Sequence, residues 1–99
     1  MAAVARIGDE VNTGHACDTV TTILSGSTNV FVEGVGVARS TDPLSPHTIL
    51  AGTVCVPHPG TVVNRGSSTV FVNGLSIARV GDSADLGNIT SGASTVFAG

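Results

Sequence analysis

One phrase constrains this chain before anything else does. Gly-Ser-x-x-Val-Phe-Val-x-Gly-x-x-x-Ala-Arg-x-x-Asp runs from Gly26 to Asp42 and again from Gly66 to Asp82. Its opening half returns as Gly92-Ala93-Ser94-Thr95-Val96-Phe97, and its closing half already stands near the N-terminus as Ala5-Arg6-Ile7-Gly8-Asp9. Joined end to end, these pieces make three circularly permuted copies of one unit, and internal repetition of that kind dictates the architecture.

Composition narrows the fold class. The chain has 99 residues, a length for one small domain that often needs a second source of stability beside its core. Hydrophobic content is 41%, carried by Val, Ala and Ile, with three Phe and neither Trp nor Tyr. Such side chains suit pleated surfaces, and with Gly spread throughout and no apolar residues at helical spacing the expectation is essentially all β. Short strands are predicted at about 3–7, 20–24, 29–33, 36–40, 61–65, 69–73, 76–80 and 94–98. Asn73-Gly74 is a strong hairpin signal, because both residues tolerate the positive φ of a type I′ turn, and Glu33-Gly34 is its weaker counterpart.

The formal net charge is −3 and there is no Lys, so the basic footprint needed for nucleic acid or anionic lipid is missing. No apolar run approaches a membrane span, and MAAVARIGDE lacks the pattern of a signal peptide. The expectation is a chain that folds in the cytoplasm, where free thiols or metal ligands are favoured over a Cys17–Cys55 disulfide.

Each repeat Arg precedes an Asp by three residues: Arg6/Asp9, Arg39/Asp42 and Arg79/Asp82. Three equivalent copies point to an ion pair or loop clamp in each lobe and not to acid–base chemistry. Val30-Phe31-Val32 and Val70-Phe71-Val72 carry apolar side chains on both faces, which leaves two readings: strands covered on both sides, or one face used for docking.

Between the full copies lies the segment from Pro43 to Gly60, which holds all four Pro, two of the three His and one of the two Cys. Cys55-x-x-His58 has a spacing by which one turn can grip a metal, and His47 and His15 complete a set of three imidazoles and one thiolate. That set, His15, His47, Cys55 and His58, suits one tetrahedral Zn²⁺. Cys17 is a fifth candidate, set aside as buried or spare. A site filled by four protein ligands is closed and structural, so no enzymatic role is expected. Two rival classes are an electron carrier with a copper site of Cys and two His, which lacks a Met for the axial position, and a three-ligand metallohydrolase, for which no motif is present.

These phrases resemble the PAAR-repeat family, named for Pro-Ala-Ala-Arg. The tetrapeptide reads Ala3-Val4-Ala5-Arg6, Gly36-Val37-Ala38-Arg39 and Ser76-Ile77-Ala78-Arg79, keeping Ala-Arg throughout and losing Pro throughout; Ser40-Thr41-Asp42 departs from Val-Gly-Asp. The resemblance implies a single domain over 1–99, a small metal-stabilised cone of short β-hairpins with pseudo-three-fold symmetry. It implies one tip seated on a trimeric β-helical spike of a type VI secretion system or contractile phage tail. It also implies a zinc ion, with iron as the alternative, held by three His and one Cys (His15, His47, Cys55 and His58). The role would be mechanical: a rigid point that meets a target membrane transiently, with effector cargo as a further partner and no toxin domain in this chain.

Overall fold

The three Ala-Arg phrases meet at the centre of the molecule. In the computed structural model, which describes residues 1–99, the amide of Ala5 donates to the carbonyl of Ala78, that of Ala78 to Ala38, and that of Ala38 back to Ala5, at 2.9, 2.9 and 3.0 Å. The bridges Val4↔Arg79, Arg39↔Ile77 and Arg6↔Val37 run round the same closed ring. Three identical backbone steps that return to their start define a pseudo-three-fold axis. Backbones this close leave little room for side chains, and the three alanines are fully buried.

Twelve short strands and no helix surround the ring. Three equivalent pairs flank it: β1 (Ala2–Ala3) with β12 (Phe97–Ala98), β4 (Phe31–Val32) with β5 (Val35–Gly36), and β8 (Phe71–Val72) with β9 (Leu75–Ser76). Glu33-Gly34 and Asn73-Gly74 turn the last two with φ of 53° and 79°, and 54° and 80°, the left-handed geometry expected of both turns. The other strands are β2 (Glu10–Asn12), β3 (Val20–Thr22), β6 (Thr48–Ala51), β7 (Val54–Pro57), β10 (Ser83–Ala84) and β11 (Gly87–Ile89). Four of these make a sheet in the order β10-β11-β2-β3, while β6 and β7 form an antiparallel hairpin of their own.

The core repeats the arithmetic of the sequence. Its main cluster is three triplets of equivalent positions: Ala5/Ala38/Ala78, Ile23/Val63/Ile89 and Val11/Leu44/Ala84. A second cluster adds Val4/Val37/Ile77, with Val72 and Ala98 buried and Val32 packed against them as the third of its set. Gly26, Gly66 and Gly92 are required for a common reason: a Cβ at any of them would collide with the carbonyl oxygen of Val37, Ile77 or Val4. The repeat is therefore a packing unit, each copy supplying one member of every layer.

The Arg–Asp pairs are clamps. Asp9, Asp42 and Asp82 are buried, and each accepts from the backbone amide and Nε of its own Arg, at 2.7–3.1 Å. Those bonds raise the pKa of all three guanidinium groups, against the opposing effect of burial. No acid–base role is left for carboxylates so fully used.

The body measures 41 × 23 × 22 Å, and two nearly equal short dimensions are what a three-fold axis along the long one requires. The main departure from the predicted strands is the segment from Pro43 to Gly60. No strand is predicted within it, yet it holds β6 and β7, the longest strands in the chain at four residues each. Its prolines stand at the ends of the hairpin, where no ladder amide is needed, and Thr48-Ile49-Leu50 and Val54-Cys55-Val56 between them are good strand formers.

Candidate metal centre

Beyond the core layers, the connections that follow the three Arg-x-x-Asp phrases converge. The first carries His15, the second carries His47 and His58 on either side of the β6–β7 hairpin, and the third is the tight turn between β10 and β11, which carries Asp85. Donor atoms of these four side chains lie within 4.8 Å of one another. Each lobe therefore sends at least one ligating group to the same point.

The geometry has the size of a metal site. Asp85 Oδ2 stands 2.8 Å from Nε2 of His15, 2.8 Å from Nε2 of His47 and 3.5 Å from Nδ1 of His58, and His58 Nδ1 is 3.1 Å from His15 Nε2. Ligands about 2.0–2.1 Å from a zinc ion in a tetrahedron stand about 3.3 Å apart, within this spread. The site is well enclosed: the side chains of His15, His47 and Asp85 are 7%, 2% and 2% exposed, and His58, at 25%, is the open edge. His58 also lines a groove of about 330 Å³ framed by the four prolines.

Hydrogen bonding selects the tautomers. Nδ1 of His15 lies 3.1 Å from the Ala16 carbonyl and Nδ1 of His47 lies 2.9 Å from the Ser45 carbonyl. A carbonyl can only accept, so Nδ1 carries the proton and each neutral ring turns its Nε2 lone pair inward, as metal-ligating imidazoles do. Those lone pairs then face a carboxylate oxygen, which is repulsive unless the rings are protonated or a cation lies between them. The donor set thus fits a divalent metal, with carbonyl partners already orienting two of its imidazoles.

Asp85 is held for the position. Its φ is 54°, a left-handed conformation that Asp tolerates, and Asn64 Nδ2 donates to its carbonyl at 2.9 Å. Burial opposes its charge, but the hydrogen bonds that Nε2 of His15 and His47 donate when those rings are protonated outweigh that and lower its pKa; burial likewise opposes a charge on His15, and the Ala16 carbonyl with Asp85 raises the His15 pKa nonetheless. Asp85 is the residue that reading the sequence for ligands missed. The repeat held a signal for it: if two of three equivalent connections supply ligands, the third should too, and Asp85 is the only His, Cys, Asp or Glu between Asp82 and β11.

Cys55 requires a correction. The expected thiolate ligand is bonded to Cys17 in a disulfide with Cα atoms 5.8 Å apart, and no cysteine is free. The same bond corrects the preference for reduced thiols and the reading of Cys17 as spare. The reason is local: the Cys-x-x-His reading assumes a turn, but residues 54–57 are strand β7, where successive side chains alternate faces. Cys55 and His58, an odd number of residues apart, therefore leave the strand on opposite sides. With both sulfurs bonded, no thiolate remains for the copper electron-carrier alternative. Replacing Cys55 by Ser is expected to lower stability by up to about 4 kcal/mol, the loop-closure value for a bond spanning 38 residues. Denaturant unfolding checks this, and metal content should stay at that of the parent protein, because the four donors are untouched.

The family model described as the PAAR motif matches residues 13–82 and again residues 54–99. The two matches overlap across the repeat from Gly66 to Asp82, as a permuted repeat demands. No curated protein matches the chain.

Proposed function

The chain belongs to the PAAR-motif family, and from that membership we propose that it is a metal-stiffened tip seated on the blunt end of a trimeric spike, one tip per trimer. The family carries a spike-tip role in secretion systems and phage tails generally. The observation that supports this reading most directly is the set of apolar side chains left outside the core. Phe31, Phe71 and Phe97 are 59%, 58% and 51% exposed, and Val30, Val70 and Val96 are each 37% exposed. They occupy equivalent positions at the three strand pairs around the alanine ring, so one chain offers the same apolar pair three times. A monomer can meet a three-fold partner without leaving two of its three faces uncovered only by such repetition. It also removes one of the two sequence readings, since strands with exposed Phe are not covered on both sides.

His15, His47, His58 and Asp85 would hold the ion, and imidazole nitrogens with one carboxylate suit zinc, with iron as the alternative. Bound there, the ion would tie the three lobes together. Because the donors fill a tetrahedral shell, the site is read as structural, and the chain as mechanical and not enzymatic. No helix is long and apolar enough to cross a membrane, which accords with assembly on a spike. Whether effector cargo rides with the tip follows from the family reading alone. The test is the mass of the complex with a trimeric β-helical spike: one chain per three spike subunits is expected, and a 3:3 complex would overturn the reading.

A further inference from the structure

The three copies of the repeat meet at polar junctions, and the junctions are not alike. The eighth position of the phrase falls on Glu33, Asn73 and Gly99, and each of these meets the start of a neighbouring copy. Glu33 fills its junction with a carboxylate, which accepts from the amides and hydroxyls of Ser94 and Thr95 and, at 2.7 Å, from Nη1 of Arg6. Asn73 fills the second with an amide: its Oδ1 accepts from Ser27 Oγ at 2.7 Å and from Arg39 Nη1 at 3.2 Å, and its Nδ2 donates to Asn29. The third junction is open. Gly99 has no side chain, and its carbonyl accepts from the hydroxyls of Ser67 and Thr69. Arg79, the counterpart of Arg6 and Arg39, directs Nε and Nη2 to Asp82 and has no acceptor at Nη1, on a side chain 23% exposed.

These junctions lie among the exposed apolar pairs. Glu33 reaches Thr95, just before Val96 and Phe97; Asn73 reaches Asn29, just before Val30 and Phe31; Gly99 reaches Thr69, just before Val70 and Phe71. A partner seated on those Val and Phe covers the junctions with them. A guanidinium N–H taken from water and given no acceptor is costly. Two of the three arginines carry an acceptor from their own chain into such an interface, and Arg79 does not.

We propose that Arg79 is a specificity-determining residue of the seat, its Nη1 donating to an oxygen supplied by the partner at the third junction. The proposal rests on the spike reading above, since it names the chemistry that the spike must bring to one lobe. The oxygen is uncharged, a main-chain carbonyl or a side-chain amide. A three-fold spike offers the same group to all three junctions, and a carboxylate that suited Arg79 would stand against the carboxylate of Glu33 at the first. The seat is thus three-fold in its apolar contacts and single in this polar one.

Closing the open junction from within tests this. Gly99→Asn gives the third junction the acceptor of the second, and Gly99→Ala adds a side chain without one; there is room for both, because a Cβ at Gly99 would meet only Thr69 Oγ1, at 3.9 Å. Titrated calorimetrically into the trimeric β-helical spike, Gly99→Asn should bind about tenfold more weakly than the parent protein, and Gly99→Ala should bind as the parent does. Gly99→Asn should also unfold at higher denaturant, since its junction is closed, and a gain in stability with a loss of affinity is a pattern that damage to the fold does not produce. Replacing Arg6, Arg39 or Arg79 by Gln removes one Asp clamp in each case, so the structural loss is shared, and Arg79→Gln alone should weaken spike binding about tenfold. The proposal is overturned if Gly99→Asn binds as the parent does, if Gly99→Ala is weakened as much, if all three Gln variants are weakened alike, or if salt erases the difference between Gly99→Asn and the parent, which would mark a carboxylate. A parent protein that does not bind the spike overturns this reading together with the spike reading, whereas a one-to-three complex that Gly99→Asn forms equally well overturns this one alone.

Discussion

Removing the metal at pH 8 is expected to cost more stability than any other single perturbation of this protein. Structural zinc contributes about 10–16 kcal/mol in small peptides that have no fold without it. That range is a ceiling here, because the alanine ring, the layered core and the disulfide remain. The loss is still large, since the ion would join connections from all three lobes, and without it inward-facing lone pairs meet the Asp85 carboxylate. Replacing His47, the most enclosed of the imidazoles, by Ala should reproduce the effect more fully than replacing His58 at the open edge. The pH dependence has a definite sign. The folded-state pKa of His15 is raised above 6.5, so in the metal-free protein its contribution is complete below 6.5 and lost as pH rises through the raised value. The Asp85 pKa is lowered below 3.8, so its contribution is present above 3.8 and lost as pH falls through the lowered value. The metal-free protein should therefore hold best between those two limits, where a protonated His15 beside an ionised Asp85 replaces part of what the ion supplies. The metal-bound protein behaves oppositely, because acid protonates the imidazoles and expels the metal. Denaturation midpoints with and without chelator should lie far apart at pH 8 and close together near pH 5. Equal midpoints at pH 8 would remove the metal from the account of stability.

Much of this fold was legible because the repeat makes each position speak three times. Ala5, Ala38 and Ala78 stand in the same place in the phrase, and a residue kept small in all three copies is a residue near an axis. The Gly before each Ser or Ala, and the Arg three before each Asp, are readable for the same reason: close backbone approach and a clamp are needed in every lobe. Legibility failed where the symmetry does. The segment from Pro43 to Gly60 occurs once, and its prolines mask the strand-forming Ile49, Leu50, Val54 and Val56. That misreading carried a second one with it. Treated as a turn, Cys55-x-x-His58 looked like one grip on a metal; as a strand it separates the two side chains, and Cys55 is left to pair with Cys17. Asp85 stayed hidden because a single Asp in a short turn is what most short turns contain. Its role follows from placing the third connection of the repeat beside the other two, a comparison of equivalent positions that residue types alone do not supply.

The apolar end of the molecule gives the second large effect, and its three-fold character makes the test specific. Phe31, Phe71 and Phe97 are all more than half exposed and lie outside both core clusters, so replacing them by Asp should leave the fold intact by circular dichroism. Full burial of such a side chain is worth about 1.5–3 kcal/mol, of which roughly half remains to be gained on docking. An Asp in its place must also be desolvated against an apolar surface. Each single variant is therefore expected to weaken spike binding about tenfold, and the triple variant about a thousandfold if the three contacts are independent. Calorimetric titration against the trimeric spike measures this directly. What distinguishes three-fold seating from an ordinary apolar contact is equality: the three single variants should fall within a few-fold of one another, since each meets the same surface on a different spike subunit. One dominant Phe with two silent ones would mean that the chain touches its partner from one side, and the repeat would then serve the alanine ring and the core layers without serving as an interface.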